Sequence, residues 1–418
     1  MTAISLDLWS PEMINNPHPQ YARLRRDATV HRVRPPGGPE DVFLVTGHAQ
    51  VKAALGDARL SKAPRNFPQW AHAAGIVNEN GEAGTGANML TSDPPDHTRL
   101  RSIVSKEFTR RRIDALKPRI QALTDSLLDD MAAAEESGPV DMIEIFAYPL
   151  PLTVICELIG VPSSDRGDFR RWITALMTPA ISAATRDDAE SGGLAIRAYL
   201  AEQIAAVRSA GPSGKEQRGL LSQLVPAAGD EGQLTETELI GTMIQLLVAG
   251  HETTTNLIAN GTLALLTNPD QLAALRKSPE LLPSAIEEML RFTSPVDRST
   301  PRAATEEIVL DGVVIPAGSV VMAVIGSANR DEVQFADGDE FDISRSGNSH
   351  LSFGHGIHFC VGAGLARVEG EIAIRSLFDR FPDLTLGCPE NELRWRPGLV
   401  LRGLTALPVH TGTTTDRS

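Results

Sequence analysis

One cysteine stands apart because of its neighbours. Cys360 lies in "FGHGIHFCVG", residues 353–362, among three glycines and two histidines, whereas Cys156 and Cys388 have no such setting. Five chemistries could involve this window: a disulfide, a zinc site, a nucleophile, a phosphate loop or an iron ligand. Three cysteines in 418 residues make no disulfide framework and fit a reducing compartment. Zinc could take Cys360, His358 and His355, but a closed site needs a fourth ligand, and no partner pair at zinc-like spacing is present. "GHGIHFCVGAGLAR" lacks the lysine of a phosphate loop, and its G-x-G at 362–364 ends in Arg367 rather than a third small residue. A nucleophile stays open, since a thiol just before a helix is acidified by the helix dipole. A buried structural cysteine at a turn, the ordinary role, stays open too. Ligation of haem iron accounts for more of the window. A thiolate on iron needs backbone N–H donors around its sulfur, and glycines let the chain approach a flat macrocycle.

Four other stretches carry chemistry-bearing residues. "AGHETTT", 249–255, sets a polar knot between apolar flanks; Thr255 stands where H-E-x-x-H needs its second histidine, so zinc again fails. The flanks argue against a solvated face, and buried polar groups need partners or a function. "EEMLR" holds Glu288 and Arg291 at i, i+3, by itself a surface ion pair of little worth. "DPPDHTRLR" places His97 and Arg101 at i, i+4 where a helix starts. They are either two exposed residues or donors for a buried anion. "FTRRRID" has three consecutive arginines, Arg110, Arg111 and Arg112, which read as a solvated basic turn or as a docking patch for an acidic partner.

Positioning these residues is the work of a mostly helical chain. Hydrophobic content is 42% and charged content 22%, the balance of a globular protein with a large core. A formal net charge of -14 argues against nucleic acid as a partner. "MTAISLDLWSPEMINNPHPQ" lacks the basic and apolar regions of a signal peptide, and no apolar run approaches a membrane span. "TVHRV" and "DVFLVT" predict two strands around "PPGGPE". Residues 62–90, rich in Gly, Pro and Asn, predict a long loop, either functional or disordered. Helical periodicity dominates from Asp96 to about Asn268, broken by a polar loop at 210–219. The clearest helix starts at Thr235 and Glu238, which have capping-box spacing, and runs about 30 residues to 267–271. Being apolar on nearly all sides, it should cross the middle of the protein. "EEIVLDGVVIPAGSVVMAVI", 306–325, predicts hairpin strands turning at Asp311-Gly312, and a further helix follows Cys360. The fold class is therefore mainly α with a small β portion (α+β), the strands falling near 28–47, 306–325 and 384–410 and the helices near 96–300 and 361–381. No composition break marks a second domain, so 1–418 reads as one.

"FGHGIHFCVG" matches F-x-x-G-x-[HR]-x-C-x-G at every fixed position, and on this the chain resembles the cytochrome P450 superfamily. The resemblance runs from about Leu8 to Val409. It implies a P450 fold with the long central helix over a buried haem, and haem b as cofactor with Cys360 as the iron ligand. Phe353, Gly354, Gly362 and Ala249 would then contact the cofactor, and His97, Arg101, Arg302 and His358 would hold its propionates, since buried carboxylates need charge-assisted donors. "AGHETTT" looks like the family's [AG]-G-x-[DE]-T-T, where small residues let the helix widen locally at the oxygen site. This carries over Glu252 and Thr253 as an acid–alcohol pair, Thr253 hydrogen-bonding dioxygen and water, Glu252 helping to deliver protons. Glu288 and Arg291 match the family's E-x-x-R, a buried structural pair completed by a later arginine, here Arg345.

The closer likeness, through "AGHETTTNLIANG", "HPxxYARLR" and the cysteine stretch, is to actinobacterial hydroxylases of macrolides, polyketides and similar bulky apolar molecules. It implies a cytoplasmic monomer without membrane attachment that inserts one atom of O2 into its substrate. Electrons would come from NAD(P)H through ferredoxin reductase and ferredoxin. By segment, the substrate pocket would include Met89, Leu90, Ile244, Val248, Val296 and Val400. Asp297 and Arg298 are charged where apolar residues are expected; they either pair with each other or meet a polar substrate group. His355 has no assigned role. Epoxidation or oxidative coupling at the same site, and a non-turnover haem-thiolate sensor, are the alternatives; the acid–alcohol pair disfavours the sensor.

Overall fold

The computed structural model describes residues 3–34, 40–74, 77, 86–135, 138–162, 165–177, 183–210, 219–228 and 233–412. The turn expected at 35–39, most of the loop at 75–85 and the polar loop at 211–218 lie outside the described residues. The chain divides into two compact units, residues 1–60, 110–150 and 252–418 forming the first, and 61–109 and 151–251 the second. Helices dominate both, with small sheets, as the mainly α reading requires.

In the first unit, strands Ile4–Ser5, Val30–Arg34, Val42–Val45, Val320–Ala323 and Arg302–Ala304 neighbour one another in that order. "TVHRV" and "DVFLVT" pair antiparallel, with His31 opposite Leu44. Val42–Val45 then pairs parallel with Val320–Ala323. β-branched residues fill this sheet, and Val30, Val45, Val51, Val321, Ala323 and Ile325 bury against one another in its core. The predicted hairpin forms between Ile308–Leu310 and Val313–Ile315. Its two turn residues, Asp311 and Gly312, have φ of 50° and 74°, the left-handed pair that matches strand twist. Strands Ile4–Ser5 and Val140–Asp141 had no sequence signal, being two residues long.

The long helix runs Glu236–Thr267, 32 residues. Thr235 caps it: the Glu238 N–H donates to Thr235 Oγ1 at 3.2 Å and the Thr235 N–H to Glu238 Oε2 at 2.8 Å. In the second unit Arg99 clamps Glu238 further, at 2.6 Å. The helix is continuous through Ala249–Thr255. Gly250 explains the tight fit on one side, because a Cβ there would lie 3.0 Å from Ile155 Cδ1. Helix Ala363–Arg380 follows Cys360 and lies along helix Arg110–Ala134. Among the described residues no helix is long and apolar enough to cross a membrane.

Candidate functional site

The cysteine loop is built by glycine turns. Gly354 and Gly356 both have φ of +73°, a conformation that L side chains rarely adopt. The turns bring the Cys360 N–H to the Phe353 carbonyl at 2.8 Å, closing the loop on itself. Gly356 also sits where a Cβ would lie 3.0 Å from Gly56 Cα, so only glycine lets the loop seat on the end of helix His48–Gly56. His355 packs there too, its ring edge 3.4 Å from where a Gly56 Cβ would stand; this is a bend position. Cys360 itself is exposed, at the head of the helix that starts at Ala363, whereas Cys156 is buried and Cys388 half-buried; among the described residues none of the three forms a disulfide.

A charged group braces this loop from behind. Glu287 accepts Arg367 Nε at 2.6 Å and Nη2 at 2.8 Å, and lies 3.1 Å from His350 Nε2. Burial pushes the Glu287 carboxyl up, but Arg367 and His350 outweigh it and hold it at about 2. The Arg367 guanidinium in turn stacks 4.5 Å from the Phe353 ring. The neighbouring pair Glu288–Arg291 has no exposed side-chain surface. Arg291 donates to both Glu288 oxygens at 2.7 Å and to the carbonyls of Asn329, Gly338 and Glu340. Arg345 Nε reaches Glu288 Oε1 at 3.3 Å.

Asp297 and Arg298 turn to each other rather than outward. Arg298 Nε lies 3.3 Å from Asp297 Oδ2. Tyr21, from "HPQYARLR", donates its hydroxyl to Asp297 at 2.6 Å and accepts from Arg298 at 2.9 Å. Burial and the Asp297 charge push the Tyr21 hydroxyl well up, keeping it a donor. The two backbone N–H groups of Asp297 and Arg298 donate to the Val400 carbonyl. This joins Val296 and Val400, both half-buried, into one wall.

Glu252 is buried and Thr253 half-buried. Glu252 meets an arginine that sequence reasoning passed over: Arg396 Nη2 is 2.9 Å from Oε2 and Nη1 3.2 Å from Oε1. The signal was present, as Glu252, Asn256 and Asn260 recur at every fourth position of an otherwise apolar helix. Arg302 is buried on its strand, with Nη1 3.3 Å from the Leu60 carbonyl, and His358 is half-buried in the one-turn helix Gly356–His358. Gly362 is the residue before helix Ala363–Arg380.

The second unit holds the remaining expected residues. His97 is buried and Arg101 half-buried on helix Asp96–Val104. Asn88 caps the turn Met89–Thr91, its side chain accepting from Leu90 and Thr91 N–H, which buries Met89 and leaves Leu90 half-buried. On the first half of the long helix Val248 is half-buried and Ala249 exposed, while Ile244 has no exposed surface and belongs to the core. In the first unit the donor set suits an anionic macrocycle with a metal ion: the reachable Cys360 thiol before a helix, the buried Arg302 guanidinium and the His358 imidazole. It does not suit a bare ion, since among the described residues no three His, Cys, Asp or Glu side chains are placed to hold one.

A family model described as "Cytochrome P450" matches residues 181–405. The chain belongs to the cytochrome P450 family. It is 48% identical over 395 residues to cytochrome P450 monooxygenase PikC of Streptomyces venezuelae, spanning 94% of this chain and 91% of that one. It is 41% identical over 391 residues to mycinamicin IV hydroxylase/epoxidase of Micromonospora griseorubida, 93% and 94% of the two chains. Among solved structures it is similar to CxnD, a P450 described as acting in C–S bond formation in chuangxinmycin biosynthesis, with a TM-score of 0.88, 38% identity and 98% of each chain covered. As a P450 the protein is a monooxygenase that carries haem b on a cysteine thiolate and uses dioxygen, an organic substrate and a redox partner.

Proposed function

We propose that this P450 is a single-domain cytoplasmic hydroxylase of bulky, largely apolar small molecules of the macrolide or polyketide type, receiving electrons from NAD(P)H through ferredoxin reductase and ferredoxin. The observation that carries the reading is the Cys360 loop, which alone among the three cysteines offers an exposed thiol at a helix start. When bound there, haem supplies the splitting of dioxygen, one atom going to substrate and one to water. Cys360 supplies the thiolate, favoured by the partial positive charge at the start of the helix that follows. Phe353, fixed by Arg367, shields the sulfur side. His97, Arg101, Arg302 and His358 supply cationic or N–H donors for two propionates. Thr253 offers a hydroxyl that both donates and accepts, and Glu252 beside it passes protons inward. Val248, Val296, Val400 and Leu90 keep apolar surface for the substrate. Ile244 and Met89 are buried within the second unit.

The exposed arginines 110–112 support ferredoxin docking. Ile113, next in sequence, lies 3.0 Å from where a Gly364 Cβ would stand, four residues after Cys360. Epoxidation or oxidative coupling is the second reading. It is favoured by one relative named for both hydroxylation and epoxidation and one structure described for C–S bond formation. The test is the reduced carbon monoxide spectrum, then product analysis with macrolides and a surrogate ferredoxin pair. A red-shifted Soret band is expected in the wild type, in C156S and in C388S, and not in C360S. Its retention in C360S would overturn the ligand assignment, and Thr253→Ala turning over normally would overturn the role of the acid–alcohol pair.

A further inference from the structure

The inference deepens the monooxygenase reading, on which it rests, and concerns Arg396. The stripe Glu252, Asn256, Asn260 on the long helix is covered by a segment that doubles back on itself between Arg394 and Thr405. Its ladder includes the Arg396 N–H to the Gly403 carbonyl at 2.8 Å and the Thr405 N–H to the Arg394 carbonyl at 2.8 Å. Each polar residue of the stripe binds this segment: Asn260 Nδ2 donates to the Arg402 carbonyl at 3.0 Å, Asn256 accepts from Arg396 Nη2 at 2.8 Å, and Glu252 takes both guanidinium nitrogens. Gly403 makes the approach possible, since a Cβ there would fall 2.0 Å from Asn256 Oδ1 and 2.8 Å from Arg396 Nη2. The tip of the same segment is the Leu399–Val400 turn, whose carbonyls hold Asp297 and Arg298.

The two ends of the ion pair differ in access to water. The Glu252 side chain is 6% exposed and the Arg396 side chain 37%. A carboxylate gripped at both oxygens by one planar fork loses its rotational freedom, while the fork itself stays in contact with solvent. We propose that Arg396 is a positioning residue for proton delivery: it fixes the orientation of the Glu252 carboxyl, one residue from Thr253. Each proton that Glu252 passes toward Thr253 is one it has first taken up from solvent, and the arginine stays protonated throughout. The residue acts through Glu252 and so affects the rate of the proton-dependent step, not substrate affinity.

The test uses the haem-loaded full chain with a surrogate ferredoxin and reductase, following oxygen consumption both without substrate and with mycinamicin IV as probe. Arg396→Met is expected to lower kcat about ten-fold with KM little changed, and to raise the solvent deuterium isotope effect. Arg396→Lys, which keeps a cation, should recover part of both. A second readout needs no turnover: in thermal unfolding, Glu252→Gln and Arg396→Met should be non-additive, the double variant being no less stable than the weaker single one. Additive unfolding shifts would overturn the pair. Unchanged kcat and isotope effect in Arg396→Met would overturn the positioning role, as would failure of lysine to rescue. A wild type that consumes no oxygen in either condition would instead sink the monooxygenase reading, and this inference with it.

Discussion

Two buried carboxyl groups in one unit show how environment decides what the same side chain does. Glu288 lies fully buried, with Arg291 and Arg345 around it and the Asp342 N–H and Asn348 amide donating to its oxygens. Removing one partner leaves an uncompensated charge, so Arg291→Met is expected to cost about 3–5 kcal/mol. Urea unfolding of the expressed variant, or its failure to accumulate with haem, measures this. Glu369 lies on helix Ala363–Arg380 and is also buried, but among the described residues no cation compensates it: burial pushes its carboxyl from 4.5 to about 8. In the folded state the carboxyl keeps its proton while the unfolded chain ionises near 4.5. Stability from this group is therefore complete below about pH 4.5 and is lost as pH rises through 8, a loss of a few kcal/mol. Glu369→Gln should flatten the decline in unfolding free energy between pH 5 and pH 8. An unchanged slope would mean that the carboxyl is already ionised in the native protein.

Local signals of high specificity decided which elements could be read from sequence. The capping box at Thr235, the Asp311-Gly312 turn and the apolar run of the long helix each encode their own geometry, and each forms where its residues place it. Thr235→Ala should cost about 1 kcal/mol and fray the first turn, seen as faster amide exchange there. Loss of the Thr235 N–H to Glu238 bond would accompany it only if the capping turn unwinds. The cysteine loop was legible for the same reason, its glycines being demanded by φ and by contact with Gly56. What stayed hidden depends on residues far apart in the chain. Tyr21 lies 276 positions from Asp297, and Arg396 lies 144 from Glu252. The Glu252, Asn256, Asn260 repeat announces a polar stripe but does not name its partner, and only the fold brings these pairs to 2.6–3.2 Å. The charges at 297 and 298, out of place as pocket lining, make sense once Tyr21 is seen to complete them. Two-residue strands carry too few residues for an alternating pattern to show.

At the scale of the whole molecule the charge distribution matters more than its sum. A net charge of -14 repels an acidic redox protein at long range, yet Arg110, Arg111 and Arg112 stand exposed at the start of a helix packed beside the cysteine helix. Arg110 is 96% exposed on its side chain, with Asp114 at 3.7 Å as a weak partner. A local basic patch on an acidic body steers a partner to one orientation, because misdirected encounters meet like charge. Reversing the patch with R110E, R111E and R112E together is expected to raise the KM for ferredoxin about ten-fold in dilute buffer. The gap should narrow as ionic strength rises, since the Debye length falls from about 30 Å at 0.01 M to about 8 Å at 0.15 M. The reduced carbon monoxide spectrum with a chemical reductant should not change, because chemical reduction needs no docked partner. A KM that is equal in the reversed and wild-type proteins at low salt would place the redox partner elsewhere on the surface.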